Sequence, residues 1–307
     1  LASYLHVLGS FAQEQGRFEE ARDDLERALV LYERAQGREG LEVADVLYNL
    51  GHLAKEQGLY SEARAYNERA LAIRGSKLGP NHPLVAGCHL GLGMVARAEG
   101  DFDGATEHYR QALAIWDQTL SPDNPNIAYT LNNLGRAYLE QGKYEEARET
   151  LERALAAKRA TLGPDHPRVA NTLNNLGKVA YATGDLERAL EFFEEALHIY
   201  EQAFGAEHYR VAFALTGMGQ ALIGLDRPAE AIPHLERALV IRTGTAVEPT
   251  DLAETRFALA RALAAGEGDP ARARELATLA RDAYAADGDK SKATQAEVDA
   301  WLAARDP

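Results

Sequence analysis

Three histidines in this 307-residue chain, His82, His166 and His208, recur at multiples of 42 residues. A recurring imidazole invites a metal reading. A zinc ion, however, needs three or four ligands converging within about 2 Å of one point, and these histidines occur one per 42 residues at the same linker position. Neighbours are therefore expected to lie too far apart to share an ion. Asn124 fills the same slot, and asparagine is a preferred helix N-cap, so the slot reads as a helix start satisfied by local backbone. Cys88, the one cysteine, sits at helical spacing among small residues and reads as packing rather than as a nucleophile. A single cysteine also excludes an internal disulfide framework and suits a reducing compartment, so a cytoplasmic location is expected. No G-x-S-x-G, H-E-x-x-H, C-x-x-C or P-loop sequence is present. The expectation is a protein that is no enzyme, with no metal and no cofactor.

A second set of polar residues is harder to dismiss. Residues at i, i+3, i+4 and i+7 of a helix share a face. That spacing groups Tyr129, Asn132, Asn133 and Arg136, with Glu140 one turn on; Asn171, Asn174, Asn175 and Lys178; and Asp45, Tyr48, Asn49 and His52, with Glu56 beyond. Asparagine is a mediocre helix former, so its mid-helix recurrence calls for a reason other than propensity. A carboxamide offers both donor and acceptor and can hold an extended peptide backbone. Arg136 and Lys178 stand one repeat apart at equivalent positions and suit a carboxylate. The competing structural reading is that Asn133 and Asn175 bond neighbouring carbonyls or helices, and that Arg136 pairs with Glu140 at i+4.

The elements that must carry these residues follow from the period. Gly135 has counterparts at Gly9, Gly51, Gly93, Gly177 and Gly219; Ala147 at Ala21, Ala63, Ala105, Ala189, Ala231 and Ala273; and Ala154 at Ala28, Ala70, Ala112, Ala196, Ala238 and Ala280. Self-similarity at such a period is the signature of a stacked repeat array without a single central core. In the third unit, Pro83 opens a helix whose apolar residues Leu84, Val85, Leu92, Val95 and Ala96 run to Glu99. Gly100 stops it, and a second helix spans about Asp103 to Thr119 with Ala105, Tyr109, Ala112, Leu113 and Trp116 on its inner stripe. Each unit is thus an antiparallel helix pair, and the chain is all-α. Phe18, Tyr60, Phe102 and Tyr144, after each turn glycine, are expected to be core residues, and Glu145-Glu146 and Glu194-Glu195 solvated faces.

Six 42-residue units are expected over residues 1–249. Residues 250–307 then form a degenerate seventh unit plus a capping helix that carries Trp301. The sixth unit departs from the pattern with His208-Tyr209 in place of His-Pro, and with Asp226 where Gly142 stands in the fourth. Leu1 falls on the register of Val43, Val85, Ile127, Val169 and Val211, and no cap precedes it. A fragment of a longer chain is expected, with self-association through the N-terminal face as a further possibility. The net charge of −14 and 26% charged residues argue against nucleic acid or anionic lipid as partner. No apolar run approaches the roughly 20 residues that span a bilayer, so no membrane role is expected.

The pattern L-G-x-x-A/Y…G-x-Y/F-x-x-A…A-L, with LNNLG, YEEA, ERAL and the linkers LGPNHP (Leu78 to Pro83) and LGPDHP (Leu162 to Pro167), resembles the tetratricopeptide repeat of the 42-residue kinesin light chain variety. The match is strong to about residue 242. The resemblance implies a right-handed superhelical solenoid whose concave surface, lined by the first helix of each pair, binds peptides. It places the grouped faces in that groove. In bacterial proteins such arrays are often regulators that follow a nucleotide-binding switch domain. The leading expectation is a non-enzymatic scaffold binding a protein or peptide segment at Tyr48, Asn49, His52, Met94, Tyr129, Asn132, Asn133, Arg136, Asn171, Asn174, Asn175, Lys178 and Gln220. The alternative is a regulatory or sensor arm of a larger signalling protein whose groove contacts another domain of the same chain. Gly87, Leu90, Gly91 and Met94 in the third unit, and Phe213, Thr216, Gly217 and Gln220 in the sixth, are expected to form apolar pockets beside a locally basic centre. An acidic or carboxylate-bearing peptide with hydrophobic anchors would fit.

Overall fold

A computed structural model describes residues 1–245, 247–266 and 268–305, with the side chains of 289 and 290 left aside. Its α-helices are α1 (Ala2–Glu14), α2 (Phe18–Gln36), α3 (Leu41–Glu56), α4 (Tyr60–Leu78), α5 (Pro83–Glu99), α6 (Phe102–Thr119), α7 (Pro125–Glu140), α8 (Tyr144–Leu162), α9 (Pro167–Thr183), α10 (Leu186–Phe204), α11 (Tyr209–Gly224), α12 (Pro228–Gly244), α13 (Pro249–Ala265), α14 (Pro270–Asp287) and α15 (Lys292–Ala303). No strand occurs among the described residues, and none of their helices is long and apolar enough to cross a membrane.

The helix ends follow from local chemistry. His82, His166 and His208 each accept, through Nδ1, the backbone N–H two residues on, at 3.2, 3.0 and 3.2 Å. Asn124 does the same with its side-chain oxygen at 3.0 Å. The recurring histidines are therefore helix caps. Gly100 closes α5 at φ +84°, a conformation that costs glycine little. Asp226, in the sixth repeat, adopts φ +58° and is the one non-glycine residue with positive φ among those described.

The chain divides into two compact units, Leu1–Ala154 and Leu155–Pro307, the boundary falling inside α8. In the first, each first helix packs on its own second helix (α1 on α2, α3 on α4, α5 on α6), and each second helix packs on the next first helix. Val46, Leu50 and Leu53 of α3 bury themselves against Leu5, Ala12, Ala21, Leu25 and Ala28 of the preceding pair. The equivalent face of α1 is open: Tyr4 and Phe11 are 65 and 52% exposed. The second unit repeats the scheme from α9 through α14. There α15 lays Val298, Trp301 and Leu302 against the last pair, with Trp301 meeting Phe257 edge-on at 5.9 Å.

Small residues set the separation between helices. A Cβ added to Gly135 would lie 2.6 Å from Leu151 Cγ and 3.3 Å from the Ala147 carbonyl oxygen, so the shared glycine is a close-approach point. The expected inner stripe of α6 is buried throughout, whereas Leu84 of α5 is 44% exposed. Phe18 and Tyr60 are half-buried and pack against the core, Phe102 is half-buried, and Tyr144 is exposed rather than core as expected. Each opens a second helix, where one flank is left for solvent. Glu145 pairs with Arg148 and Glu195 with Arg159, so those acidic faces are solvated but not unpaired.

Candidate functional site

The sequence-derived site residues lie on first helices, and their side chains are more engaged with one another than expected. In the first unit, Asn49 Nδ2 lies 2.8 Å from His6 Nε2 and donates to Ser10 Oγ at 3.0 Å. Gln13 Nε2 lies 2.6 Å from His52 Nδ1, and it donates to Glu56 Oε2 at 3.3 Å. Burial pushes the imidazoles of His6 and His52 below the ordinary histidine range, with Asp45 and Glu56 respectively opposing. Together Ser10, Gln13, Glu14, Tyr48, Asn49, His52 and Glu56 line a cleft of about 430 Å³. Met94 Sδ faces the Tyr129 hydroxyl at 3.8 Å.

On α7, Asn133 Nδ2 donates to the Tyr129 carbonyl of its own helix at 3.1 Å. Arg136 Nε donates to Glu140 Oε1 at 3.1 Å, and Arg97 Nη1 reaches the same oxygen at 3.2 Å. Arg136 remains 48% exposed at its side chain, yet its charge is shared with a carboxylate that also serves Arg97. Asn132 is half-buried.

In the second unit, Asn171 Oδ1 accepts from Tyr200 Oη and from Arg210 Nη1, both at 2.6 Å. Asn174 is buried, while Asn175, Lys178 and Gln220 are half-buried. Gln220 Nε2 donates to Glu254 Oε1 at 3.3 Å. Burial pushes the Glu254 carboxyl up, but Lys178 and Arg242 outweigh it and hold it below the usual carboxylate range. Lys178 therefore acts on an acid of its own chain, and the basic centre read from sequence comes with its counter-charges.

The expected apolar pockets take a different form. Thr216 is buried and bonded to the Ala212 carbonyl and to Thr255 Oγ1. A Cβ on Gly217 would fall 2.5 Å from the Phe193 ring, and one on Gly91 2.4 Å from Asn67 Oδ1. Both glycines are small because the preceding second helix fills the space. Leu90 is buried as well.

The sequence reading missed a register on the second helices: Tyr32, Arg74, Trp116, Lys158, Tyr200, Arg242 and Tyr284, spaced by 42. All but Tyr32, which is half-buried, are buried. The polar tips of Arg74, Trp116, Lys158, Tyr200 and Arg242 reach the first helices from behind. Arg74 donates to Asp45 Oδ1 at 2.7 Å, Leu84 O at 3.1 Å and Cys88 Sγ at 3.3 Å. Burial pushes the Cys88 thiol up despite Arg74 beside it, which leaves it unsuited to nucleophilic work. Trp116 Nε1 donates to Pro83 O at 3.3 Å, and Lys158 Nζ to Thr172 Oγ1 at 2.7 Å. Arg242 Nη1 donates to Thr255 Oγ1 at 2.5 Å and sits over the Phe213 ring at 4.8 Å. The signal available in sequence was a basic residue alternating with an aromatic one at a single register. Asn67, at the register of Leu25, Tyr109, Leu151, Phe193 and Leu235, was a second such signal.

Stacked helix pairs with this spacing define a repeat scaffold, and comparison with known proteins places it. The family described as tetratricopeptide repeat matches residues 1–76, 54–117, 85–160, 141–202 and 181–244. The chain belongs to the tetratricopeptide repeat family, which in general is a non-catalytic scaffold that binds other proteins or peptides. No curated protein matches it. Among solved structures, BtubC (BKLC) from P. vanneervenii is 24% identical, with a TM-score of 0.62 over 75% of this chain and 91% of that one. A putative kinesin light chain with nearly identical repeats from Podosopora anserina is 26% identical, with a TM-score of 0.55 over 64% and 94%. A Signal Transduction ATPase with Numerous Domains protein with a tetratricopeptide repeat sensor, from Pyrococcus horikoshii, is 16% identical, with a TM-score of 0.70 over 97% of this chain and 44% of that one.

Proposed function

We propose that this chain is a protein-interaction scaffold that holds an extended peptide segment along the polar faces of its first helices. The observation that carries the reading is the cleft of about 430 Å³ walled by Ser10, Gln13, Tyr48, Asn49 and His52. It presents a hydroxyl, carboxamides and an imidazole where a packed helix face would be apolar, with the carboxyl groups of Glu14 and Glu56 also in its wall. Carboxamides match both the N–H and the C=O of a peptide backbone without charge. Tyr129, 39% exposed, and Met94 offer apolar contact beside them, and soft thioethers and aromatics adapt to varied side chains.

The charge pattern refines the partner. Arg136 shares Glu140 with Arg97, and Lys178 acts on Glu254. A ligand carboxylate would displace acids already in place, so its net gain is small. Backbone hydrogen bonds and hydrophobic anchors would then supply most of the affinity, with acidic groups selecting among ligands. Fluorescence polarisation against a library of acidic-hydrophobic peptides tests this. Asn49→Ala with His52→Ala should weaken binding about tenfold, the loss expected for one or two hydrogen bonds. Arg136→Glu with Lys178→Glu should abolish any preference for acidic peptides. Binding untouched by both pairs of substitutions sinks the assignment of these residues.

A further inference from the structure

The third helix pair, α5 and α6, departs from its neighbours in ways that the groove reading does not use. At one interior register of the first helix, five repeats place leucine: Leu5, Leu47, Leu131, Leu173 and Leu215, none more than 4% exposed. The third places His89 there, half-buried. Its Nδ1 lies 3.2 Å from Nδ1 of His108 on α6, and the ring centroids are 5.4 Å apart. The other repeats carry Asp24, Tyr66, Thr150, Phe192, His234 and Leu276 at the register of His108, so the facing pair is particular to this hairpin. A contact between two Nδ1 atoms needs one donor and one acceptor. It therefore survives only while at least one ring is neutral, because both nitrogens of an imidazolium donate.

The helix that carries His89 is also weak in itself. Beyond the shared Gly93, α5 contains Gly87 and Gly91, and an interior glycine weakens a helix relative to alanine. Gly91 makes room for Asn67, but a Cβ on Gly87 would meet nothing nearer than the Tyr48 ring at 3.8 Å. Packing does not require that glycine.

We propose that the third hairpin is an acid-sensitive weak link in the array, which opens when the facing His89 and His108 rings both become charged. The groups acting on the pair are Arg64 from α4, and Glu107 with Asp101 on and before α6. Arg64 is held by Glu99, and the two acids do not offset burial. Burial first, and then the neighbouring imidazole, push His89 down to about 4; burial and then Arg64 lower His108. An opened hairpin frees both rings to titrate near 6.5. The open form thus binds more protons than the closed form as pH falls from about 6.5 towards 4, and opening is favoured throughout that window. Above it the pair is neutral and the hairpin is shut. Because α5 lines a narrow space with Tyr48, His52, Asn67 and Met94, opening would also dismantle that stretch of the first unit, whether or not a peptide uses it.

Hydrogen–deuterium exchange on the intact chain at pH 7.4 and pH 5.0, corrected for intrinsic rates, tests the proposal. Amide protection in α5 and α6 should fall on the order of tenfold at pH 5.0, a figure already discounted for the half exposure of the rings. Protection in α13 and α14, whose sequences contain no histidine, should hold. His89→Leu, the residue of five of the other repeats, should keep α5 and α6 protected at pH 5.0. His108→Phe, the residue of the fifth repeat, should do the same and decides the matter if the first variant fails to fold. Equal acid loss in wild type and variants, loss spread evenly over the chain, or no loss at all overturns the proposal.

Discussion

Lys158 is the residue whose burial most needs an explanation. Its Nζ donates to Thr172 Oγ1, and no carboxylate pairs with it among the described residues. At the same register Arg74 has Asp45, and Arg242 has Glu254 at 3.7 Å. Burial first, and then the charge of Arg168, lower the Lys158 amine to about 8. The unfolded chain, titrating near 10.5, holds the proton over the interval between. Folding is therefore penalised at and below neutral pH, and the penalty lifts as pH rises from about 8 to 10.5, by up to about 3 kcal/mol. Lys158→Met should be more stable than wild type at pH 7, with the gap closing by pH 10.5; urea unfolding followed by circular dichroism at pH 7, 9 and 10.5 would show it. Parallel profiles would mean the amine is solvated. The caps at His82, Asn124 and His166 could be read from sequence because a cap depends on residues two apart. Lys158 could not, because a lysine on an amphipathic helix is ordinarily solvated and only its register among Trp116 and Tyr200 betrays its burial.

Between elements, the same limit appears as a question of which face meets which. Periodicity groups residues i, i+3, i+4 and i+7, and it recovered the helices, their turns and the close-approach glycines. It does not say which group meets the preceding hairpin, and Gly91, Thr216 and Gly217 were assigned to an open groove for that reason. Phe193 shows what settles the matter: its ring would lie 2.6 Å from a Cβ on Gly177 and 2.5 Å from one on Gly217. This ring is matched by two missing side chains on the flanking first helices. Gly217→Ala should cost about 1–3 kcal/mol by overpacking. Adding Phe193→Leu, the residue found at Leu25, Leu151 and Leu235, should recover most of the loss. A double variant no more stable than Gly217→Ala would show that the ring is not the obstacle, and a double-mutant cycle in urea measures it directly.

At the scale of the whole molecule, membership of the tetratricopeptide repeat family makes the polar first-helix faces the place to look for a partner. The family pattern fixes the stack residues in nearly every repeat and leaves the faces free to vary. It was thus the departures from pattern that carried information: Asn49 and His52, the histidine pair of the third hairpin, and the charges around Glu140 and Glu254. The counter-charges of Arg136 and Lys178 were only partly legible at sequence level. Glu140 was in view as an i+4 partner, but its second arginine, Arg97, lies 43 positions away, and Glu254 lies 76 positions from Lys178.

The second-helix register has one more consequence, for how such a chain can grow. Aromatic residues stand at Tyr32, Trp116, Tyr200 and Tyr284 and cations at Arg74, Lys158 and Arg242, so each kind returns only every 84 residues. Buried cations are kept two hairpins apart, where each finds its own acceptors, and adjacent ones would repel in a medium of low dielectric. A doublet of hairpins is then the smallest insertion that keeps this alternation. Inserting a second copy of residues 41–124 preserves the alternation, whereas inserting residues 41–82 twice, which adds the same length, sets three arginine registers side by side. Thermal unfolding should rank the doublet insertion clearly above the tandem singlet, and equal melting temperatures would reduce the 84-residue rhythm to coincidence.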